Sequence, residues 1–284
     1  MLDITNKKRI YAILLKRKCV ILHLKSILLK QNQLEFPYQL PFFKEQHITF
    51  DSPITILVGE NGSGKSTFLE LINEKLKLYR IEMENTYQKE LRDILKKASK
   101  DITLKYALTK PQGFFFCAED FTSYIHFLVR EKNEALSELK RIETEYKNKS
   151  DLSRSLAKGP SSKTLYEIDN LYDRDLLKSS HGEAYLSFFS SRLRKNQIYL
   201  LDEPETPLSI QNQLTLITLI HDAVKEGNQF IIATHSPIVM SIPGAVILSL
   251  SDQGVEKIKF DEIESVLLLK QFLNYPDSFF KHLF

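Results

Sequence analysis

Residues 54–67 read Ile54-Thr55-Ile56-Leu57-Val58-Gly59-Glu60-Asn61-Gly62-Ser63-Gly64-Lys65-Ser66-Thr67, an apolar run that stops at a glycine-rich loop. From Gly59 to Thr67 the loop meets G-x-x-x-x-G-K-[ST] at every fixed position. Glycines there let backbone N–H groups converge on an anion where a Cβ would obstruct the wrap. Beyond the loop, Phe68, Leu69, Leu71, Ile72 and Leu76 recur at helical spacing. The positive end of that helix would point at the same anion. A strand over Ile48 to Val58, a loop and a helix over Ser66 to Leu78 are therefore expected. Gly59, Glu60, Asn61, Gly62, Ser63, Gly64, Lys65, Ser66 and Thr67 would wrap a phosphate chain, with Lys65 bridging its last two phosphates and Ser66 ligating Mg2+. A chance glycine turn ahead of a helix would satisfy a looser pattern, but the full match in strand–loop–helix context weighs against it.

A second constellation lies far downstream, where Ile198, Tyr199, Leu200 and Leu201 run into Asp202, Glu203, Pro204 and Glu205. The four apolar residues read as a buried strand, and the acids emerge at its C-terminal end, where ligands sit in open α/β sheets. Asp202 is expected to hold Mg2+ through its water shell and Glu203 to accept a proton from an attacking water. Adjacent acids after a strand often only cap a helix, a reading that loses weight once the upstream loop is present. A third strand, Phe230 to Ala233, ends at Thr234, His235, Ser236 and Pro237. A lone histidine is usually structural, but His235 falls where a γ-phosphate contact is needed, so a catalytic role is assigned to it beside Glu203.

The rest of the chain is consistent with an α/β protein. Val20 to Leu29, Gly113 to Ala118, Gln197 to Leu201, Gln229 to Ala233, Ala245 to Leu250 and Val255 to Phe260 read as strands. Ile210 to Lys225 and Glu262 to Leu273 read as helices, and the alternation implies a parallel sheet with crossover helices. Residues 80–110 carry no clear pattern. Phe121 to Lys149 is a charged helical stretch with a stripe of Leu128, Ala135, Leu136, Leu139 and Ile142. The cluster Lys158 to Ser162 is expected to break it, with helix resuming near Leu165.

With 284 residues, 43% apolar and 26% charged, the chain has the composition of an ordinary globular protein. Its net charge of +3 hides a basic flank: Lys7, Lys8, Arg9, Lys16, Arg17, Lys18, Lys25 and Lys30 face a single acid, Asp3, in the first thirty residues. Those cations also interrupt the apolar stretch Ile10 to Leu29 well short of a bilayer span. Cys19 and Cys117 have no metal-type spacing, and reduced cytoplasm is the expected compartment.

Together these elements resemble the ABC ATPase superfamily. More closely, GENGSGKST, FFFCAE, SSHGE, LLDEPETPLS, ATHSP and the ending FLNYPDSFF resemble small stand-alone bacterial ATPases related to the chromosome-maintenance and recombination-repair branch. The resemblance runs from about residue 20 to the end. It implies a P-loop NTPase head with a mostly parallel central sheet, an N-terminal antiparallel β part and a helical lobe over 120–180, inserted between phosphate loop and signature within one domain of residues 1–284. The ligands it implies are ATP and Mg2+. Lys178 to Ser187 looks like the family's signature, with Ser180, His181, Gly182 and Glu183 standing where S-G-G-Q is usual; it departs at His181 and Glu183. In that family the signature caps nucleotide held by the opposite subunit, so Ser180 and Gly182 would act in trans in a homodimer formed on ATP binding. Thr206 to Ser209 fall at the D-loop, with Ser209 in place of the usual aspartate. For the Q-loop, position favours Glu119, which would then be a metal ligand, while chemistry favours Gln112. Phe36, Tyr38 and Phe42 all stand as adenine-contact candidates.

The function implied is Mg-dependent ATP hydrolysis by a head-to-tail dimer, gating nucleic-acid maintenance or phage defence, with DNA or a nearby-encoded effector protein as further partner. The alternatives are the ATP-binding subunit of a membrane transporter and a regulatory module of weak turnover. The altered signature and Q-loop count against the first, and no membrane partner is expected. The joint presence of Lys65, Asp202, Glu203 and His235 counts against the second.

Overall fold

The computed structural model describes residues 22–44, 47–81, 86–170 and 181–283. The basic residues Lys7 to Lys18, Cys19 and the signature residue Ser180 lie outside them. Strands β1 (Leu24–Leu29), β2 (His47–Thr49) and β4 (Ile102–Tyr106) form an antiparallel sheet in the order β2-β1-β4. Six more strands, β3 (Ile54–Val58), β5 (Gly113–Cys117), β6 (Ile198–Asp202), β7 (Gln229–Ala233), β8 (Val246–Ser251) and β9 (Gly254–Ile258), form the central sheet in the order β5-β6-β7-β3-β8-β9. All its pairings are parallel except the β8–β9 hairpin at one edge. This is the α/β architecture that the resemblance implied.

The central strands are apolar on both faces because both faces are covered. Ile54, Ile56, Tyr199, Leu201, Phe230, Ile232, Phe114 and Phe116 point to one side. There they meet α3 (Ala118–Glu145), α5 (His181–Arg192), α6 (Ile210–Lys225), α7 (Pro237–Met240) and α8 (Glu264–Asn274). The alternate residues Leu57, Ile198, Leu200, Ile231, Ala233 and Phe115 face α1 (Lys65–Leu76), α2 (Thr86–Ala98) and the antiparallel sheet. At the C-terminus, α9 (Pro276–Leu283) follows α8, and Phe272 packs edge-on to Phe279 and Phe280.

Two expectations about element boundaries are corrected. The single strand expected over Ile48 to Val58 is two strands in different sheets. Pro53 has no N–H for a ladder; its carbonyl instead accepts from Phe230 N (2.7 Å), and Ser52 Oγ caps the turn by accepting from Ile54 N (3.2 Å). The break expected at Lys158 to Ser162 falls earlier, after Tyr146, and α4 (Asp151–Asp169) runs through Gly159 and Pro160. Ser150 caps it, and its flank is tied to α3 by Lys158–Glu143 (2.9 Å) and Lys132–Asp169 (2.6 Å). Those pairs fix an antiparallel hairpin, and α4 buries none of its residues, so it tolerates the hydrogen bond that a proline forfeits. At 28 residues α3 reaches about 42 Å.

The segment 80–110, unreadable in sequence, holds α2 and β4, and its first residue is a staple. Arg80 donates from Nη1 to Glu70 of α1 (2.5 Å) and from Nε to Asp120 of α3 (2.5 Å), while its guanidinium lies 4.7 Å from the centre of the Phe115 ring. Arg80 and Asp120 side chains are both under a tenth exposed. Breaking a buried pair strands a charge. Arg80→Met is therefore expected to lower stability by about 3–5 kcal/mol, read from the urea unfolding midpoint, and Arg80→Lys to recover little, because one ammonium cannot replace the two-sided fork.

Candidate functional site

Sheet register brings the chemistry together. Asp202 and Leu57 are both level with Ala233, in strands on either side of β7. With neighbouring strands about 4.8 Å apart, the loops after β3, β6 and β7 must converge at the C-terminal end of the sheet. The loop after β3 turns through Gly59 (φ +153°) and Gly64 (φ +91°). A Cβ on Gly59 would stand 2.4 Å from the Leu250 carbonyl oxygen, and one on Gly64 would press on Leu40 and Phe42. Glycine is needed at both for space as well as dihedral.

The helix α1 begins at Lys65 with no side chain capping its N-terminus, leaving the first N–H groups directed at the loop's concavity. Lys65 is buried and donates from Nζ to the carbonyls of Gly59 (2.9 Å) and Glu60 (3.0 Å). Burial holds its pKa below the ordinary lysine value, against the opposing pull of Glu203, Asp202 and Glu205. Ser66 Oγ donates to Asp202 Oδ1 (3.0 Å), tying the start of α1 to the tip of β6. Asp202 is 7% exposed, and burial pushes its carboxyl up to about 7, with the Ser66 hydrogen bond pulling the other way. A carboxylate so far out of water needs positive charge beside it. The hydroxyl–carboxylate pair next to a phosphate cradle is the donor set that suits Mg2+, a hard cation that keeps several waters. Among the described residues, no cluster of three His, Cys, Asp or Glu side chains forms a protein-only metal cage.

Glu203 adopts φ +46°, a left-handed backbone that non-glycine residues seldom hold. It is pinned by Glu203 N donating to Ala233 O (2.9 Å) and Thr206 N donating to Glu203 O (3.1 Å). Strain of this kind collects at functional sites. Its half-exposed carboxylate stands 4.0 Å from His235 Nε2, beyond hydrogen-bond range and within ion-pair range.

Glu205, given no role by sequence reasoning, holds the histidine loop. Its Oε1 accepts from the backbone N–H of both His235 (2.7 Å) and Ser236 (3.1 Å), and Ser236 Oγ donates to Gln213 Oε1 (2.6 Å) on α6. The other Glu205 oxygen and the wholly buried Tyr185 hydroxyl of α5 have no hydrogen-bond partner among the described residues. The only sequence signal for this brace was a third acid in the Asp-Glu-Pro-Glu run.

The remaining expected site residues separate. Glu119 is exposed in the first turn of α3, two residues past Cys117, which sits opposite Asp202 in register. Gln112 precedes β5 at the other end of the sheet; five residues of strand put it about 16 Å from the tip. That distance removes it as a Q-loop residue. Gly182 lies in the first turn of α5, against Pro207 and Asn212. Tyr38 and Phe42 are buried in the core behind the phosphate loop and present no face to an adenine; Phe36 is 37% exposed.

Residues 40–74 match the family of AAA domains, and residues 181–240 match the family of AAA ATPase domains. The first segment contains the phosphate loop; the second contains Gly182, the Asp-Glu pair and His235. A Pyrococcus furiosus protein named as an ABC transporter ATP-binding protein is 28% identical over 214 residues, 73% of this chain and 74% of that one. Translation initiation factor RLI1 of Chaetomium thermophilum is 23% identical over 74% of this chain and 33% of its own. Among solved structures, the Smc head domain of Pyrococcus furiosus superposes with a TM-score of 0.44 at 14% identity, over 88% of this chain and 99% of that one. An ATP-binding cassette of an ABC transporter in its ADP conformation gives 0.43 at 15% identity, over 90% and 96%. Two segments of the chain thus match P-loop ATPase domains of the AAA/ABC type.

If Glu205 sets the position of the histidine loop, Glu205→Ala should leave nucleotide affinity near that of the unaltered protein and lower turnover by about 10²-fold, the scale of an ångström-sized misplacement. Equal turnover in the two proteins, measured as phosphate release, would show that the brace is dispensable.

Proposed function

We propose that this chain binds MgATP in the loop Gly59 to Thr67 and hydrolyses it, and that two copies do so head to tail. What supports the reading most directly is the Ser66–Asp202 hydrogen bond, because it joins the phosphate cradle to a buried acid at the tip of a neighbouring strand. The triphosphate lies across the loop amides, and the Lys65 ammonium leaves the Gly59 and Glu60 carbonyls for the β- and γ-phosphate oxygens. Ser66 and Asp202 would hold Mg2+, which neutralises charge developing on those oxygens; Glu119 is the further candidate ligand. Glu203 accepts a proton from the attacking water, and His235, 4.0 Å away, contacts the γ-phosphate. Ser180 and Gly182 of the second copy close the site.

The partner class we infer is nucleic acid, in DNA maintenance or phage defence, and its support is the basic flank between Lys7 and Lys30 and the Asp-Glu-Pro-Glu form of the acidic motif. The name of the Pyrococcus relative favours a second reading, the ATP-binding subunit of a membrane transporter. No helix among the described residues is long and apolar enough to cross a membrane; co-purification with a membrane chain would support that second reading.

The expected kinetics separate binding from chemistry. Lys65→Ala should abolish MgATP binding. Glu203→Gln should keep it, lower phosphate release by roughly 10²–10⁴-fold, and accumulate an ATP-dependent dimer in sedimentation velocity. Phosphate release from the unaltered protein no faster than from Glu203→Gln would sink the hydrolase reading.

A further inference from the structure

At the end of β5 and β6 farthest from Asp202, a cavity of about 620 Å3 opens between the C-terminus of α1, the approach to β5 and the chain leaving α5. That volume lies within the roughly 300–1,000 Å3 of ordinary ligand clefts. Four cations line it, Lys77, Lys110, Arg192 and Arg194, together with Tyr79 and Gln112, and none of its described lining residues is acidic. Lys77 is paired with Glu74 on its own helix, and Arg194 donates from Nη1 to the Ser191 and Leu193 carbonyls (both 2.9 Å). Lys110 is exposed.

The aromatic wall distinguishes this place from a merely solvated basic edge. Tyr79 is 59% exposed, yet its backbone is fixed as an extra rung beside β5, donating to Gly113 O (3.2 Å) and accepting from Phe115 N (2.9 Å). Its ring rests on Phe114, with centroids 5.4 Å apart, and the Arg192 guanidinium lies 5.8 Å from its centre. A largely exposed ring on a pinned backbone, set among cations, presents aromatic surface to a base and positive charge to flanking phosphates. Simple anions make no use of the ring, and a duplex keeps its base faces stacked inside.

From this arrangement we infer that the cavity binds single-stranded nucleic acid, with one base on Tyr79 and neighbouring phosphates on Lys110, Arg192 and Arg194. The inference rests on the nucleic-acid reading above and names its site. The ATP site and this cavity lie at opposite ends of the same strands, so both ligands fit at once. One helix touches both: α1 starts in the phosphate loop and is capped by Lys77, about 18 Å away.

The test is fluorescence anisotropy with a labelled oligothymidylate and a duplex of equal length. The single strand should bind more tightly. Tyr79→Ala should weaken that binding about fivefold or more. Lys110→Glu combined with Arg194→Gln should weaken it at least tenfold and flatten the slope of its salt dependence by roughly 0.7 for each phosphate left without a cation. Both variants should bind labelled MgATP as the unaltered protein does. Ultraviolet crosslinking of an iododeoxyuridine-substituted strand should mark the peptide containing Tyr79. Unchanged binding by the variants, preference for the duplex, or crosslinks confined to other peptides would overturn this site while leaving a nucleic-acid role elsewhere on the chain. Binding to no nucleic acid of any kind would overturn both readings.

Discussion

Burying an acid at the end of a strand is costly, and much of the site is arranged around how that cost is met at Asp202. Its carboxyl, almost out of water, has the Ser66 hydroxyl as its hydrogen-bond donor and feels Glu203 and Glu70 as like charges. Positive charge arriving beside such a group favours its carboxylate form. The Ser66 bond also fixes where α1 starts relative to β6, and the start of α1 is the phosphate cradle itself.

Register makes that arrangement rigid. Because β3, β7 and β6 are neighbours in parallel alignment, their exits share one level, and loops that are distant in the chain become a single surface. Glu203 holds its position at the cost of a left-handed backbone, whereas Glu205 secures the loop it must work with by accepting two backbone N–H bonds. On the far side of β5, Arg80 clasps α1 to α3, so the helix carrying the cradle and the long hairpin are joined through one buried guanidinium. Chemistry and scaffold therefore use the same two devices, a buried charge and a partner that cannot move away from it.

Much of the fold was legible because the signals are local. The helix Ile210 to Lys225 was bounded correctly from its pattern, and β5, β6, β7 and β8 are short apolar runs ending in polar turns. Errors arose where tertiary partners outvoted local chemistry. Pro160 sits inside a helix because α4 has a neighbour to lie on, and Ile48 to Val58 splits because its two halves pair with different strands. Residues 80–110 lacked a pattern only in isolation: Leu91, Leu95 and Ala98 form a helical stripe toward the second core, and β4 alternates once β1 is beside it.

The amino-acid sequence alone determined the phosphate loop, the acids and the histidine at strand ends, since glycine dihedrals, apolar runs and charged tips act between adjacent residues. Tertiary structure alone decided that Ser66 meets Asp202 across 136 residues and that Glu205 braces the histidine loop across 30. It alone set Gln112 at the end of the sheet opposite Asp202. Those outcomes depend on strand order and register, and pairing between distant segments is fixed by how whole faces bury against each other, which short-range spacing does not encode.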